Sequence, residues 1–294
     1  MVGDFRGLVP AFARSGDELR HIVGRACPYN LPIAGRPLIR HAIRALCDVG
    51  VDEVVVVVDP AIAEEVVVAI GDPGIAIHYA LEDGRNGGAV LNAARETLGP
   101  GPLLVHLADS LIFEGFAPRP GEVFTSGGRP IAYALADLPE NQLAPDGGAA
   151  VALEGAWRYD GTIDGVLEAN TAALDGLKRG RIGADLSSAS VQGRVSIHPT
   201  AVLEGAKILG PVSIGPDARL VETYVGPYTS IGAGVELEGV EIEHSIVLPR
   251  AQIRYPGRRI EASLVGERAQ IGRDYTLPSA LRLRVGPGAD IQLS

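Results

Sequence analysis

The feature that most constrains this chain is a six-residue apolar period in its second half. Val202, Ile208, Ile214 and Leu220 follow one another at that spacing, and after one five-residue step Val225, Ile231 and Leu237 resume it. Gly210, Pro211, Gly215, Pro216, Gly226, Pro227 and Gly232 punctuate the run. Such a repeat predicts a parallel β-helix, because each side of a triangular coil takes one hexapeptide and its apolar residue has to point inward. One coil cannot bury its own face, so coils must stack. A β-sandwich would instead alternate with period two and show irregular turn spacing.

The first half has a different rhythm. From about Leu8 to Asp109 short apolar runs alternate with helical patterns, which predicts parallel strands joined by crossover helices. Leu8 to Phe12 reads as the first strand. Pro37 opens a helix in which Leu38, Ala42, Ala45, Leu46 and Val49 recur at helical spacing, with Gly50 as its stop. Val54 to Val58 is a buried strand, followed by a helix over 61–70, a strand over 75–80, a helix over 88–98 and a strand over 103–107. Right-handed crossovers place a ligand at the carboxyl ends of such strands. The polar stretch from Lys178 to Gly193 reads as a connection, so the expected organisation is an α/β domain over 1–180, a linker over 181–193 and a repeat domain over 194–294.

Bulk properties narrow the function classes. The 294 residues are 46% hydrophobic and 21% charged, with a net charge of -10, as in a folded chain that does not seek phosphate backbones or anionic membranes. Nucleic acid is therefore not an expected partner. No apolar run approaches a membrane span, and no basic segment leads into an apolar one at the start, so a cytoplasmic protein is expected. Cys27 and Cys47 have no metal-ligand spacing and are expected to be plain reduced thiols.

Motifs along the chain add a resemblance. Cys27-Pro28-Tyr29-Asn30-Leu31-Pro32-Ile33-Ala34-Gly35-Arg36-Pro37-Leu38-Ile39 resembles the PKxLLPVAGKPLI stretch of the sugar-1-phosphate nucleotidylyltransferases. Gly50-Val51-Asp52-Glu53, Tyr79-Ala80-Leu81-Glu82 with Gly87-Gly88-Ala89, and His106-Leu107-Ala108-Asp109 fall in that family's order. Trp157-Arg158-Tyr159-Asp160-Gly161-Thr162 with Leu167-Glu168-Ala169-Asn170 is similar to its closing WxDTG and LLEAN motifs. The repeat half, at 224–232 and 243–247, looks like the tail of the long-form glucose-1-phosphate thymidylyltransferases. The resemblance implies a shortened Rossmann-like nucleotidyltransferase domain with a mostly parallel sheet, followed by a left-handed β-helix. It also implies a reaction in which a sugar-1-phosphate attacks the α-phosphorus of a nucleoside triphosphate and releases pyrophosphate, with Mg²⁺ as cofactor.

The residues at the matching positions depart from that chemistry, which depends on positioning and on cations that offset charge. The family's triphosphate loop reads GGxGTR; here Arg14, Gly16 and Arg20 lie in its place, with acidic Asp17 and Glu18 near the Thr-Arg. Carboxylates repel a triphosphate. The lysine of the PK pair is Tyr29, and a phenol does not replace an ammonium; Arg25 is the nearby cation that a rebuilt site would use. Asp109 and Asp160 match the family's Mg²⁺ aspartates, a hard cation favouring carboxylates, and the reading as plain turn or cap aspartates stands beside that. Between Asp109 and Trp157 only 47 residues remain, and Ala136-Asp137-Leu138-Pro139 stands where the sugar pocket's Glu-Lys-Pro is expected. Glu82 takes the place of the base-reading glutamine. Gly87 and Gly88 either let a backbone approach the nucleotide or begin the helix.

These departures favour a protein that keeps the fold, with a nucleotide or sugar phosphate as ligand, and has lost or repurposed the transfer. Two alternatives stand beside it. One is an active transferase whose rebuilt site uses Arg14, Arg20 or Arg25. The other is a hexapeptide-repeat acyltransferase using His198 or His244. In each case the stacked coils predict a homo-oligomer, dimer or trimer, through the β-helix.

Overall fold

The computed structural model describes residues 5–12, 19, 22, 28–82, 87–113, 116–136, 148–177, 183–273 and 283–284. The chain divides into two compact units. The described residues of the first fall within Met1–Gly16, Ala26–Leu31 and Arg36–Asp160, and those of the second within Asp17–Arg25, Pro32–Gly35 and Gly161–Ser294.

The first unit is built on β1 (Arg6–Ala11), α1 (Leu38–Asp48), β2 (Glu53–Val58), α2 (Ala63–Ile70), β3 (Ala76–Leu81), α3 (Gly87–Leu98) and β4 (Leu103–His106). Beyond these come β5 (Ser110–Ile112), β6 (Glu122–Ser126), β7 (Arg129–Leu135), β8 (Ala149–Ala152) and β9 (Ala156–Arg158). Seven strands form one sheet in the order β8-β6-β7-β4-β1-β2-β3. The pairs β1–β2, β1–β4, β2–β3 and β6–β8 are parallel, and β7 alone runs against its two neighbours. The expected alternation is thus present in the expected order.

Burial on both faces explains why the central strands are continuous apolar runs. Val54, Val56 and Val58 pack with Ile39, Ile43 and Leu46 of α1 and Val66 and Ile70 of α2. Val55 and Val57 point the other way, joining Leu8 and the Val90, Leu91 and Ala94 face of α3. Gly50 ends α1 as predicted, at a φ of 92° that a residue with a Cβ rarely takes. The segment between Asp109 and Trp157 forms the far side of the sheet. Gly127 and Gly128, at φ 54° and 75°, make the two-residue turn between β6 and β7 that matches the twist of paired strands.

The second unit is a left-handed parallel β-helix with three sheets of stacked short strands. Its registers align one apolar residue per side in columns: Ile197, Ile214 and Ile231; Leu203, Leu220 and Leu237; Ile208, Val225 and Ile242. These residues form a single core. The columns correct one detail of the repeat, because Val202 is 45% exposed and Leu203 takes the inward place. Each of these coils is therefore seventeen residues long, and the short step falls at one corner. Gly205, Glu222 and Gly239 sit there at φ 62°, 47° and 60°, each donating its N–H to the coil before. Ser190–Gln192, inside the stretch expected to be a linker, is already a strand paired with Lys207–Leu209.

One outer face of the coil stack is covered by α4 (Ile163–Asp175), which starts at Thr162, whose hydroxyl accepts from the Gly165 N–H. Outward Ser213 and Ser230 are small and buried, which lets the helix approach. Asn170 is the tie: its carbonyl accepts from the Ala34 N–H at 2.9 Å and the Ser230 hydroxyl at 2.7 Å, and its amide donates to the Tyr228 carbonyl at 3.1 Å. Gly35 has a φ of 74°, and a Cβ there would collide with Ser213. Asn170→Ala is expected to lower stability by about 2–4 kcal/mol, since buried donors and acceptors lose their partners. Asn170→Asp should do no better, because a carboxylate cannot donate to Tyr228. Thermal unfolding followed by circular dichroism checks both, and an unchanged midpoint in the alanine variant refutes the assignment.

Candidate functional site

In this sheet β1 has β2 on one side and β4 on the other, with α1 and α3 on opposite faces. The crevice at the carboxyl ends of β1 and β4 is then the expected ligand position. Arg14, Gly16, Arg20 and Arg25, together with Asp17 and Glu18, lie outside the described residues, as do Cys27 and Asp137, Leu138 and Pro139. What the structure describes is the rim formed by Phe12, Tyr29, Glu82 and Asp109 at the ends of β1, β3 and β4.

Tyr29 closes part of that rim. Its ring is buried, and its hydroxyl donates to the Phe12 carbonyl at 2.8 Å while accepting the Phe12 N–H at 3.1 Å. Phe12 is the first residue past β1, so both backbone groups at the carboxyl end of that strand are engaged by one phenol. The residue that replaces a lysine is here a fastener of the backbone. Glu82 follows β3 and carries its ladder one step further, donating its N–H to Val58. Gly87 and Gly88 open α3, which agrees with their reading as helix starters.

Asp109 sits in a turn tied to a single carbonyl. The Leu107 oxygen accepts from the Ser110 N–H at 3.2 Å, the Ser110 hydroxyl at 2.8 Å and His106 Nδ1 at 3.0 Å. The antiparallel pairing of β5 with β9 sets Arg158 across from Ser110, and the Tyr159 N–H donates to the Asp109 carbonyl at 2.8 Å. Tyr159 therefore stands opposite Asp109, and Asp160 is the next residue along the backbone. The two aspartates differ in environment. Asp160 is exposed, whereas the Asp109 side chain is 5% exposed and lies 3.5 Å from Arg158 Nε, whose own side chain is 22% exposed.

The divalent cation implied by the family resemblance does not fit this arrangement as it stands. Asp109 already has a cationic partner, and among the described residues no group of three His, Cys, Asp or Glu side chains could hold a metal ion. The histidines of the acyltransferase reading are engaged at coil corners. His198 Nδ1 meets the Thr200 hydroxyl at 2.9 Å, and His244, at φ 46°, packs its ring 4.8 Å from that of Tyr228. Cys47 is free, and burial, then Asp48, raises its thiol pKa. Among the described residues, no helix is long and apolar enough to cross a membrane.

The comparisons with known proteins find nucleotidyltransferases that are similar to this chain along most of its length. The chain is similar to the low-salt glycan biosynthesis nucleotidyltransferase Agl11 of Haloferax volcanii, 29% identical over 95% of this chain and 98% of that protein. It is also similar to a glucose-1-phosphate thymidylyltransferase of Streptomyces griseus, 25% identical over 95% of this chain and 97% of that one. The first alignment runs over 350 positions against the 294 residues present here, so at least 56 positions face gaps in this chain. Among solved structures, a Bacillus anthracis protein described as a glucose-1-phosphate thymidylyltransferase, in complex with sucrose, aligns at a TM-score of 0.43 and 16% identity, over 57% of this chain and 95% of that one. No family model matches.

One residue of the site carried no signal in the sequence beyond its place before Asp109. His106 is fully buried in β4, its Nδ1–H is given to Leu107, and its Nε2 has no partner among the described residues. Burial lowers its pKa from 6.5 to about 4, against smaller opposing effects of the Leu107 bond and Asp109. The folded protein thus resists a proton that the unfolded chain accepts. Stability from this residue is fully present above pH 6.5 and is lost as pH falls toward 4, by about 3 kcal/mol in all. Urea unfolding across that range should show a steeper decline for the wild type than for His106→Gln. Equal slopes would mean that His106 is not held neutral.

Proposed function

We propose that this protein binds a nucleotide, sugar phosphate or nucleotide sugar at the carboxyl ends of β1 and β4 and does not carry out the family's nucleotidyl transfer. The observation that carries this reading is Tyr29, whose hydroxyl holds both backbone groups of Phe12 where the family has a lysine for the phosphates. An ammonium stabilises a developing phosphate charge at any approach angle, whereas a phenol fixed on a backbone amide and carbonyl offers no positive charge. The gaps against its relatives support the same reading, since a shortened cleft has fewer walls with which to hold a second substrate. Binding without transfer needs only part of the cleft. The flat faces of the coil stack support a homo-oligomer formed through the β-helix.

Pyrophosphate release, measured with each nucleoside triphosphate against a panel of sugar-1-phosphates, is expected to stay at the level without protein. Thermal shift with the same compounds and with nucleotide sugars should show a stabilising ligand. Turnover with any pair refutes the loss of transfer, and a flat shift panel refutes the binding. Tyr29→Lys is expected to lose about 1–3 kcal/mol of stability through its freed Phe12 groups and to restore no turnover.

A further inference from the structure

We infer that Arg158 is the built-in counter-ion of Asp109, so that this carboxylate is balanced by a guanidinium of its own chain and takes up no divalent cation. The inference deepens the proposed function but does not depend on whether a phosphate ligand binds, because it concerns the protein and a metal ion alone. Three features of the structure converge on it.

Backbone pairing comes first. Antiparallel β5 and β9 fix Arg158 opposite Ser110, and the bond from the Tyr159 N–H to the Asp109 carbonyl continues the pairing by one more residue. Strand alternation then sorts the side chains. Trp157 and Tyr159 turn inward, both buried and packed edge to face with ring centres 6.0 Å apart, which leaves Arg158 between them to reach the acid.

Geometry comes second. Arg158 Nε is 3.5 Å from Asp109 Oδ2 while its Nη1 donates at 2.9 Å to the Pro130 carbonyl of β7, so the guanidinium is held from two sides and is not a free surface arm. Charge comes third. An ionised carboxylate so far out of water requires a partner, and a divalent ion brought to the same oxygens would face a fixed positive group at close range. A magnesium ion also needs near-octahedral oxygen ligands, and Arg158, which has no acceptor atom, occupies one side of the acid without being able to serve as one.

The test uses Mn²⁺ alone as the probe, with uptake read by electron paramagnetic resonance on the full-length protein. Wild type and Asp109→Asn are expected to take up equally little. Arg158→Gln, which keeps hydrogen-bonding capacity and removes the charge, should gain Mn²⁺ uptake by tenfold or more in affinity, and Arg158→Gln with Asp109→Asn should lose that gain. Wild-type uptake that Asp109→Asn abolishes overturns the inference. A folded Arg158→Gln protein that gains nothing also overturns it. If that variant does not fold, the comparison of wild type with Asp109→Asn still decides, and Arg158→Lys, which retains the charge, should bind as little as wild type. Failure of the proposed function would show instead in the nucleotide and sugar-phosphate panel, with these metal readings unchanged.

Discussion

A carboxylate withdrawn from water has to be accompanied by positive charge, and that requirement organises the rim of this protein. Asp109 is placed by the Leu107 turn and by strand pairing. Because Arg158 arrives on the paired strand, the turn, the β5–β9 pair and the aromatic pair behind it form one mutually supporting arrangement. Removing one member of such a buried pair is far more damaging than its net strength suggests, since the other is left charged and unpaired. The buried His106 follows the same logic in reverse: burial disfavours its charged form more than the Leu107 bond and Asp109 favour it, and it sheds its proton.

The same self-sufficiency appears at the end of β1. A loop meant to hold phosphates leaves its backbone groups open for them. Here the residue at the mouth of that loop has both its backbone groups satisfied by Tyr29. The backbone groups at the end of β1 are completed by the protein's own side chain.

Much of the fold was legible in the sequence, for identifiable reasons. A β-helix coil admits one inward residue per side, so its period is written plainly. It misleads only at the corner where a step shortens, which is why Val202 was read as inward and Leu203 takes that place. The valine run of β2 is legible because helices cover both faces. The strands between Asp109 and Trp157 were not read, since β7 reverses direction and pairs antiparallel with both neighbours, outside the pattern of parallel strands and crossover helices. Of the candidate site residues, Asp109 is paired with Tyr159, the neighbour of Asp160, and Gly87 and Gly88 open a helix. Arg158 was invisible as a partner because its contact is created by a pairing 49 residues apart in sequence.

The motifs that carry the family resemblance divide into two kinds when their contacts are followed. Gly35 is required by its positive φ and by the closeness of Ser213, and Asn170 by three hydrogen bonds within the β-helix unit; both are needed for packing whatever the protein does. The contacts of Tyr29 and Arg158 are of another kind: Tyr29 holds the backbone of Phe12 and Arg158 lies against Asp109. A chain can therefore keep a family's most recognisable words because the fold needs them, whatever becomes of the reaction. Resemblance along 95% of the chain then measures the scaffold more than the activity, and function has to be argued from the rim.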